Sequence, residues 1–250
     1  MKNKYLQSLN KIEFVVSYAC TGRCKHCSEG DHERNGERID PVLAADAVRK
    51  IASEYDIETV MVFGGEPLLY TDAVYAIISA AKEMNVKKRQ IITNGFFSEN
   101  VERMREVARR LADSGVNDLL LSVDAFHQET IPLDVVKAFA KEALACGIPI
   151  RLQPAWLVSR TDKNECNERT REILNSFWDM ELDIGEGNVV FPEGNAKKYL
   201  KEYFTAELPK NPYTEDPCNV KCVSFEPDGS VLGDNVYQRD IMEILKNYTP

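Results

Sequence analysis

Short apolar runs alternate with longer amphipathic segments along most of the chain, from residue 12 to about residue 190. The apolar runs are rich in β-branched residues, and most are apolar on both faces, which is typical of strands covered by helices on both sides of a sheet. Six such units predict a parallel sheet built from consecutive βα repeats. The predicted strands cover residues 12–17, 59–63, 89–93, 118–123, 148–158 and 188–191.

Three of the intervening segments carry apolar residues at positions i, i+3, i+4 and i+7, which predicts helices with one buried face. These segments cover residues 74–81, 104–111 and 136–143. Asp40 followed by Pro41 predicts the start of a further helix, and residues 165–178 predict another. Periodicity does not distinguish an open doubly wound sheet from a curved, incomplete barrel. In both folds the active site lies at the carboxyl ends of the strands.

The alternation is lost from about residue 197. We expect residues 1–196 to form the main unit and residues 197–250 to form a small appendage on the same core. Pro227-Asp228-Gly229 is a strong turn signal between residues 223–225 and 231–232, and it predicts a β-hairpin. Residues 240–248 predict a terminal helix.

Composition narrows the function classes. The 250 residues include 40 acidic and 31 basic side chains, a net charge of -9, so a nucleic-acid partner is not expected. No run of eighteen apolar residues and no signal-peptide pattern occur, and we therefore expect a cytoplasmic protein without a membrane partner. Because only about eleven residues precede the first predicted strand, we expect no room for a fused leader-binding domain.

Three of the seven cysteines follow the first predicted strand, in the loop Cys20-Thr-Gly-Arg-Cys24-Lys-His-Cys27. Three thiolates can hold three irons of a cubane iron–sulfur cluster and leave the fourth iron open for a ligand. Structural zinc sites take four ligands, and His26 or His32 could supply the fourth. The loop alone therefore leaves both an iron–sulfur cluster and a zinc site open.

Further motifs follow the other predicted strands in order. Gly64-Gly65-Glu66-Pro67 ends the second strand, Thr93-Asn94-Gly95 ends the third, and Ser122-Val-Asp124 ends the fourth. Arg151 lies on the fifth strand, and residues 191–196 (Phe-Pro-Glu-Gly-Asn-Ala) follow the sixth, with Asn195 where arginine is common. With the cysteine loop, these motifs make residues 12–196 resemble the radical S-adenosylmethionine (radical SAM) superfamily.

The resemblance implies an α/β fold, a partial (β/α)6 TIM-like barrel with a small C-terminal extension that contains a β-hairpin and a terminal helix. It also implies that Cys20, Cys24 and Cys27 bind a 4Fe-4S cluster, while His26 packs beside the cluster without ligating it. One electron from the reduced cluster then splits S-adenosylmethionine, and the 5′-deoxyadenosyl radical abstracts hydrogen from a substrate. The implied cofactor-binding residues are Gly64, Gly65, Glu66, Pro67, Thr93, Asn94, Ser122, Asp124 and Arg151.

The C-terminal segment resembles a shortened SPASM or twitch extension, which in related enzymes holds an auxiliary cluster. Cys218 and Cys222 precede the hairpin, but the cysteine expected after it is missing, so a second iron–sulfur cluster is not expected. Cys146 and Cys166 are poor substitutes. Tyr213, Tyr237 and Cys222 would face the cavity if the segment covers it.

The same resemblance makes a ribosomally made peptide or protein side chain the leading expectation for the substrate, and peptide modification by an oxidoreductase the leading activity. A small-molecule metabolite remains the alternative, as does an iron–sulfur electron-transfer or scaffold protein without turnover. His127, at the predicted barrel mouth, is the candidate for substrate contact or proton transfer. The expected partners are a flavodoxin or ferredoxin electron donor and a separate substrate-presenting protein.

Overall fold

One seven-stranded sheet forms the centre of the protein. The structure is a computed structural model that describes residues 2–30, 36–204 and 211–250. The strands are β1 Lys11–Val15, β2 Thr59–Phe63, β3 Lys88–Thr93, β4 Asp118–Ser122, β5 Ile150–Gln153, β6 Ala155–Trp156, β7 Asp183–Ile184, β8 Asn188–Val189, β9 Cys222–Phe225, β10 Ser230–Val231 and β11 Asp234–Asn235. The sheet order is β7-β5-β4-β3-β2-β1-β9, and every pair in it is parallel.

One α-helix connects each pair of consecutive strands from β1 to β5, which confirms the predicted βα rhythm. Asp40 caps the first of these helices by accepting a hydrogen bond from the amide of Leu43, as its position before Pro41 predicted. No helix in the described parts of the chain is long and apolar enough to cross a bilayer. The helices are α1 Pro41–Glu54, α2 Thr71–Glu83, α3 Val101–Ser114, α4 Leu133–Ala145, α5 Glu165–Asn175, α6 Gly194–Tyr199 and α7 Ile241–Asn247.

The predicted fifth strand, 148–158, is broken into β5 and β6, and the predicted sixth strand, 188–191, is shortened to β8. Pro154 has no amide hydrogen, so β5 ends at Gln153 and the chain bends before β6. The partner segment bends at the same level, where Gly187 has a φ of 74° and a Cβ would lie 2.2 Å from the Pro154 carbonyl oxygen. As a result β7, which was not predicted, occupies the sheet beside β5, whereas β8 pairs only with β6.

The C-terminal segment differs from the predicted hairpin. The Pro227-Asp228-Gly229 turn forms, but β9 does not pair in a ladder with β10; it lies parallel to β1, with Phe14 opposite Phe225. The antiparallel hairpin is instead β10 with β11. The apolar side chains of β9 and α7 belong to the same buried core as the barrel, which is how the appendage is attached.

Two phenylalanines connect β9 to the first strand. The rings of Phe14 and Phe225 are both fully buried and stack with their centroids 4.6 Å apart. A stacked aromatic pair of this kind contributes about 0.5–1.5 kcal/mol beyond the burial of its area. The edge of the sheet beside β1 is therefore closed by an apolar contact as well as by backbone hydrogen bonds.

We expect Phe225→Ala to lower the free energy of unfolding by about 3–5 kcal/mol, because it removes a fully buried ring and leaves a cavity against Phe14. Chemical denaturation of the two proteins measures the difference. Val42→Ala is the control, since Val42 is 76% exposed and its truncation should change stability by no more than about 0.5 kcal/mol. Equal losses in the two variants would contradict the assigned role of β9.

Candidate active site

A cavity of about 240 Å³ lies at the carboxyl ends of the strands. Its walls come from the cysteine loop after β1 and from the ends of β2 to β5, where a barrel of this kind builds its site. Most of the predicted site residues line it together. They are Cys20, Cys24, Cys27, Gly64, Gly65, Thr93, Asn94, Ser122, Asp124 and His127.

The three thiols of the loop share a buried, hydrogen-bonded environment. Burial raises the pKa of Cys20 to about 12 and also raises the pKa values of Cys24 and Cys27. Backbone amides donate to two of the sulfurs: that of Gly22 to Cys20 at 3.3 Å, and those of Glu29 and Gly30 to Cys27. These donors stabilise the thiolate form. Together with the positive charge of a bound metal, they would offset the rise in pKa that burial causes.

The spacing of the sulfurs favours a cluster over a single ion. Two sulfurs bound to one tetrahedral zinc lie about 3.8 Å apart. The sulfur atoms of Cys20, Cys24 and Cys27 do not all lie within 4.8 Å of one another. Wider spacing is what thiolates on three different irons of a cubane require. This donor set therefore fits an iron–sulfur cluster.

A second donor group shares one of these cysteines. Ligand atoms of Cys24, His26 and His127 lie within 4.8 Å of one another, the only group of three potential ligands in the described part of the chain. It cannot be occupied while Cys24 binds a cluster, so the two sites exclude each other. His32, the other candidate for a fourth zinc ligand, lies outside the described residues.

The end of β2 supports the cysteine loop through its backbone. The Gly65 amide donates to the Ser17 carbonyl oxygen at 2.7 Å, and the Glu66 amide donates to that of Ala19 at 2.8 Å. A Cβ on Gly65 would lie 2.2 Å from the Ala19 oxygen. Only glycine allows this approach, which explains the glycine pair of the motif.

The Glu66 carboxylate points into the protein and is absent from the cavity wall. It is fully buried and accepts hydrogen bonds from the Thr93 hydroxyl and from the amides of Leu68 and Asn94, at 2.7–2.9 Å. Burial raises its pKa to about 7, against the effect of these donors. Glu66 thus connects the ends of β2 and β3, and Pro67, which starts a short 3-10 helix there, is buried as well.

Asn94 extends this connection to the cysteine loop. Its side-chain amide donates to the Thr21 hydroxyl at 3.2 Å and to the Cys20 sulfur at 3.5 Å. The Thr93 hydroxyl is also engaged, since it donates to Glu66 and accepts from the Gly95 amide at 3.0 Å. Both side chains therefore hold the cavity wall in place.

Asp124 orients His127. The carboxylate is fully buried and accepts from the amides of Phe126, His127 and Ala155, and it lies 2.7 Å from Nδ1 of His127. Burial opposes its ionisation, but the neighbouring imidazole and these donors hold the pKa of Asp124 well below its usual range. Because its four acceptor positions are used, Asp124 is not free for the direct cofactor contact that the resemblance implied. Its bond to Nδ1 leaves Nε2 as the free nitrogen of the His127 ring.

His26 lies against this pair. Its ring centroid is 4.7 Å from that of His127 and 5.0 Å from that of Phe126. Burial lowers the pKa of His26 to about 4, and its Nδ1 has no hydrogen-bond partner. A neutral imidazole packed among aromatic rings fits the predicted position beside a cluster.

On the far wall, the structure brings Ser122 to the cavity but not Arg151. The Ser122 hydroxyl forms no hydrogen bond with the described residues, so it is available to a ligand. The Arg151 guanidinium donates to Asp118 at 2.6 Å, at the opposite end of β4. Gln153, two residues further on the same face of β5, lines the cavity in its place. Because alternate residues of a strand share a face, the position of Arg151 on the fifth strand could have predicted Gln153 at the cavity.

Asn195 holds the cysteine loop from the other side. Its side-chain amide donates to the carbonyl oxygens of Cys24 at 3.2 Å and Gly30 at 3.3 Å, and its backbone amide donates to that of Cys27 at 2.8 Å. Gly194, with a φ of 50°, lies so close that a Cβ would be 2.2 Å from the Ser28 oxygen. The motif after the sixth strand is thus a clamp on the cysteine loop.

The C-terminal candidates are dispersed. Tyr213 lines the cavity, whereas the Tyr237 hydroxyl accepts from the Asp40 amide on the outer surface. Cys218 is exposed and Cys222 is half-buried on β9. Within the described residues, neither cysteine belongs to a group of three potential metal ligands.

Comparison with known proteins identifies one family, and curated sequences and solved structures similar to this chain. The Radical SAM superfamily model matches residues 14–149. A probable GTP 3′,8-cyclase of Methanocaldococcus jannaschii is 27% identical over 129 residues, 52% of this chain and 41% of that protein. One of Saccharolobus islandicus is 25% identical over 213 residues, 81% of this chain and 64% of that protein. The chain thus spans less than two thirds of the length of these relatives.

Solved structures share the fold. Streptococcus suis SuiB bound to S-adenosylmethionine matches with a TM-score of 0.61 at 15% identity, over 96% of this chain and 66% of that one. Native anSMEcpe with bound AdoMet matches with a TM-score of 0.59 at 15% identity, over 96% of this chain and 81% of that one. The predicted partial barrel is therefore confirmed.

We expect Asn195→Ala to accelerate the loss of metal from the cysteine loop, because two buried carbonyl oxygens lose their donor at a cost of about 1–3 kcal/mol. The measurement is the rate at which a chelator removes iron from the anaerobically reconstituted protein. Asn167→Ala is the matched control, since Asn167 is equally buried but bonds to Leu157, Ser159 and Asp162. Iron release at the same rate from both variants would rule out a specific clamp.

Proposed function

The chain belongs to the radical SAM superfamily, whose members use a 4Fe-4S cluster and S-adenosylmethionine, and we propose that it removes a hydrogen atom from a small organic molecule. One observation supports the proposal most directly. The three cysteines, the glycine backbone after β2 and the free Ser122 hydroxyl meet in one cavity at the carboxyl ends of the strands. An electron carrier without turnover would not need these walls beside its cluster.

Cys20, Cys24 and Cys27 are the proposed cluster ligands. When bound, the cluster and S-adenosylmethionine supply one-electron cleavage of a C–S bond and a 5′-deoxyadenosyl radical that takes hydrogen from the substrate. The protein orients these partners and excludes water, for which the buried loop and its amide donors to sulfur are suited.

S-adenosylmethionine is proposed to lie along the ends of β2 to β5. Glu66, Thr93, Asn94 and Asp124 act there as internal supports, since their polar atoms are engaged by the protein. Direct contacts are proposed for the backbone of Gly64 and Gly65 and for the Ser122 hydroxyl. Gln153 is added to this set, and Arg151 is left out because it is paired with Asp118.

The relatives favour a small-molecule substrate over the expected peptide. Both curated relatives described above are probable GTP cyclases, and nucleotides are small molecules. The cavity volume of about 240 Å³ is close to the lower end of the range found for small-molecule sites. The fold shared with SuiB and anSMEcpe does not by itself indicate a substrate.

GTP itself is not proposed for this chain. A triphosphate is bound by Lys, Arg or a metal ion. The described walls of the cavity contain no Lys or Arg, and their charged residues are Glu29 and Asp124. We therefore propose a substrate without a polyphosphate group.

His127 is the proposed substrate-side residue. Its ring lines the cavity, Asp124 holds it by Nδ1, and Nε2 is left to accept or give a proton. A histidine held by a buried carboxylate is a common arrangement in general acid–base catalysis.

The proposed function is tested by formation of 5′-deoxyadenosine from S-adenosylmethionine and dithionite under anaerobic conditions. Wild type should bind about four irons per chain and form the product, whereas Cys24→Ala should form none because one cluster ligand is lost. Cys146→Ala, a half-buried cysteine outside the loop, is the control and should behave as wild type. A wild-type protein with four irons and no product would refute the proposal.

His127→Gln should retain about four irons per chain but lower substrate-stimulated deoxyadenosine formation at least about tenfold, since Gln lacks the imidazole proton exchange. The rates are compared with whichever candidate small molecule stimulates the wild type. Glu129→Gln, in the same short 3-10 helix but outside the cavity wall, controls for local disturbance of the loop. An unchanged stimulated rate in His127→Gln would remove His127 from the reaction.

A further inference from the structure

Cys20 lies between two cavities. It lines the inner cavity described above and also a second depression, called the outer depression below. In contrast, Cys24 and Cys27 line only the inner one of these two. The outer depression therefore brings the surface of the protein next to a single proposed cluster ligand. Its lining residues are Ala19, Cys20, Thr21, Arg23, Leu69 and Phe96.

The outer depression combines apolar and cationic groups. Leu69 is 37% exposed, and Phe96 is half-buried beside it. Arg23 is exposed at the edge. Arg38 is exposed as well; its guanidinium lies 5.2 Å from the ring of Tyr70, the residue after Leu69. No carboxylate in the described part of the chain forms an ion pair with either arginine.

The charge of this face is opposite to that of the chain and of the inner cavity. The chain carries a net charge of -9. The charged residues that line the inner cavity are Glu29 and Asp124, and its described walls contain no Lys or Arg. Opposite charge in two depressions that share Cys20 indicates two different partners, because complementary charge guides association.

We infer that the outer depression is the docking surface of an acidic one-electron carrier protein of the flavodoxin or ferredoxin type. This inference rests on the proposed function, since only a cluster at the cysteine loop would need the electron. In the transfer the carrier is oxidised by one electron and the cluster is reduced by one, with no group exchanged. Cys20 is the ligand closest to the bound carrier.

The two arginines and the apolar centre fit this occupant. A carrier that must dissociate after one electron needs a small interface, with apolar contact at the centre and charges at the rim. Leu69 and Phe96 supply the centre, and Arg23 and Arg38 supply the rim. A second copy of this acidic chain would be a poorer partner, because the overall charges of two copies repel each other.

The test compares two ways of reducing the same reconstituted protein. Deoxyadenosine formation is driven either by dithionite or by increasing concentrations of a reduced flavodoxin and a reduced ferredoxin. The variants are Arg23→Glu, Arg38→Glu and the double variant. Because Arg38 lies outside the cysteine loop, Arg38→Glu changes the charge of the surface without altering the loop itself. Arg109→Glu, whose side chain is 67% exposed on α3, is the matched charge control. Binding of the oxidised carriers is measured separately by fluorescence anisotropy, which needs no turnover.

The double variant should bind at least one carrier about tenfold more weakly and raise its KM to the same extent, as expected for loss of a charged rim. Arg38→Glu alone should act in the same direction, and Arg109→Glu should match wild type. Dithionite-driven rates and iron content should stay at wild-type levels in all variants. High salt should weaken carrier binding to wild type more than to the double variant.

Carrier binding and KM values equal to those of Arg109→Glu would overturn the docking surface and leave the proposed function intact. If the wild-type protein forms no deoxyadenosine with either dithionite or a carrier protein, the proposed function itself is refuted. A change in oligomeric state on sedimentation, with carrier binding unchanged, would assign this face to contact between copies and also overturn the inference.

Discussion

The active cavity depends on two backbone hydrogen bonds between the end of β2 and the loop that follows β1. This loop has little regular structure, so its own backbone cannot hold three thiols in a fixed arrangement. The amides of Gly65 and Glu66 fix the loop at Ser17 and Ala19, and the approach is so close that no side chain fits on Gly65. Asn94 and Asn195 add side-chain contacts from β3 and α6. The position of each cysteine is therefore set by several strand ends at once.

The same constraint explains why motif residues turn inward. Two buried carboxylates, those of Glu66 and Asp124, accept hydrogen bonds from groups on neighbouring strand ends. A buried carboxylate that lost these donors would be costly, so each one fixes the geometry around it. The cavity wall is then left with backbone groups and with the side chains of Ser122 and Gln153, which make no such internal bonds to the described residues. Rigid supports behind a small set of contacts are what precise placement of reacting atoms requires.

Local pattern predicted the elements better than their pairing. The bounds of β2 and the cap of α1 at Asp40 follow from apolar runs and capping residues, which act over a few positions. The break at Pro154 and the place of β9 beside β1 depend on contacts between distant segments, which no local pattern contains. Most of the motif residues line one cavity, whereas Glu66, Pro67 and Arg151 do not. The direction of the Glu66 and Arg151 side chains could not be read from residue type, because it depends on which partner each finds.

The place of β9 also sets the order in which the protein can be completed. Its partner β1 lies near the start of the chain, and the Asn3 side chain donates to the backbone oxygen of Tyr248, 245 positions away. Contacts of such high sequence separation carry a large loop-closure cost and slow folding. On a ribosome, the strand that carries the cysteine loop would lack its neighbour until almost the whole described chain had emerged. Insertion of a metal cluster is thus expected to follow synthesis rather than accompany it.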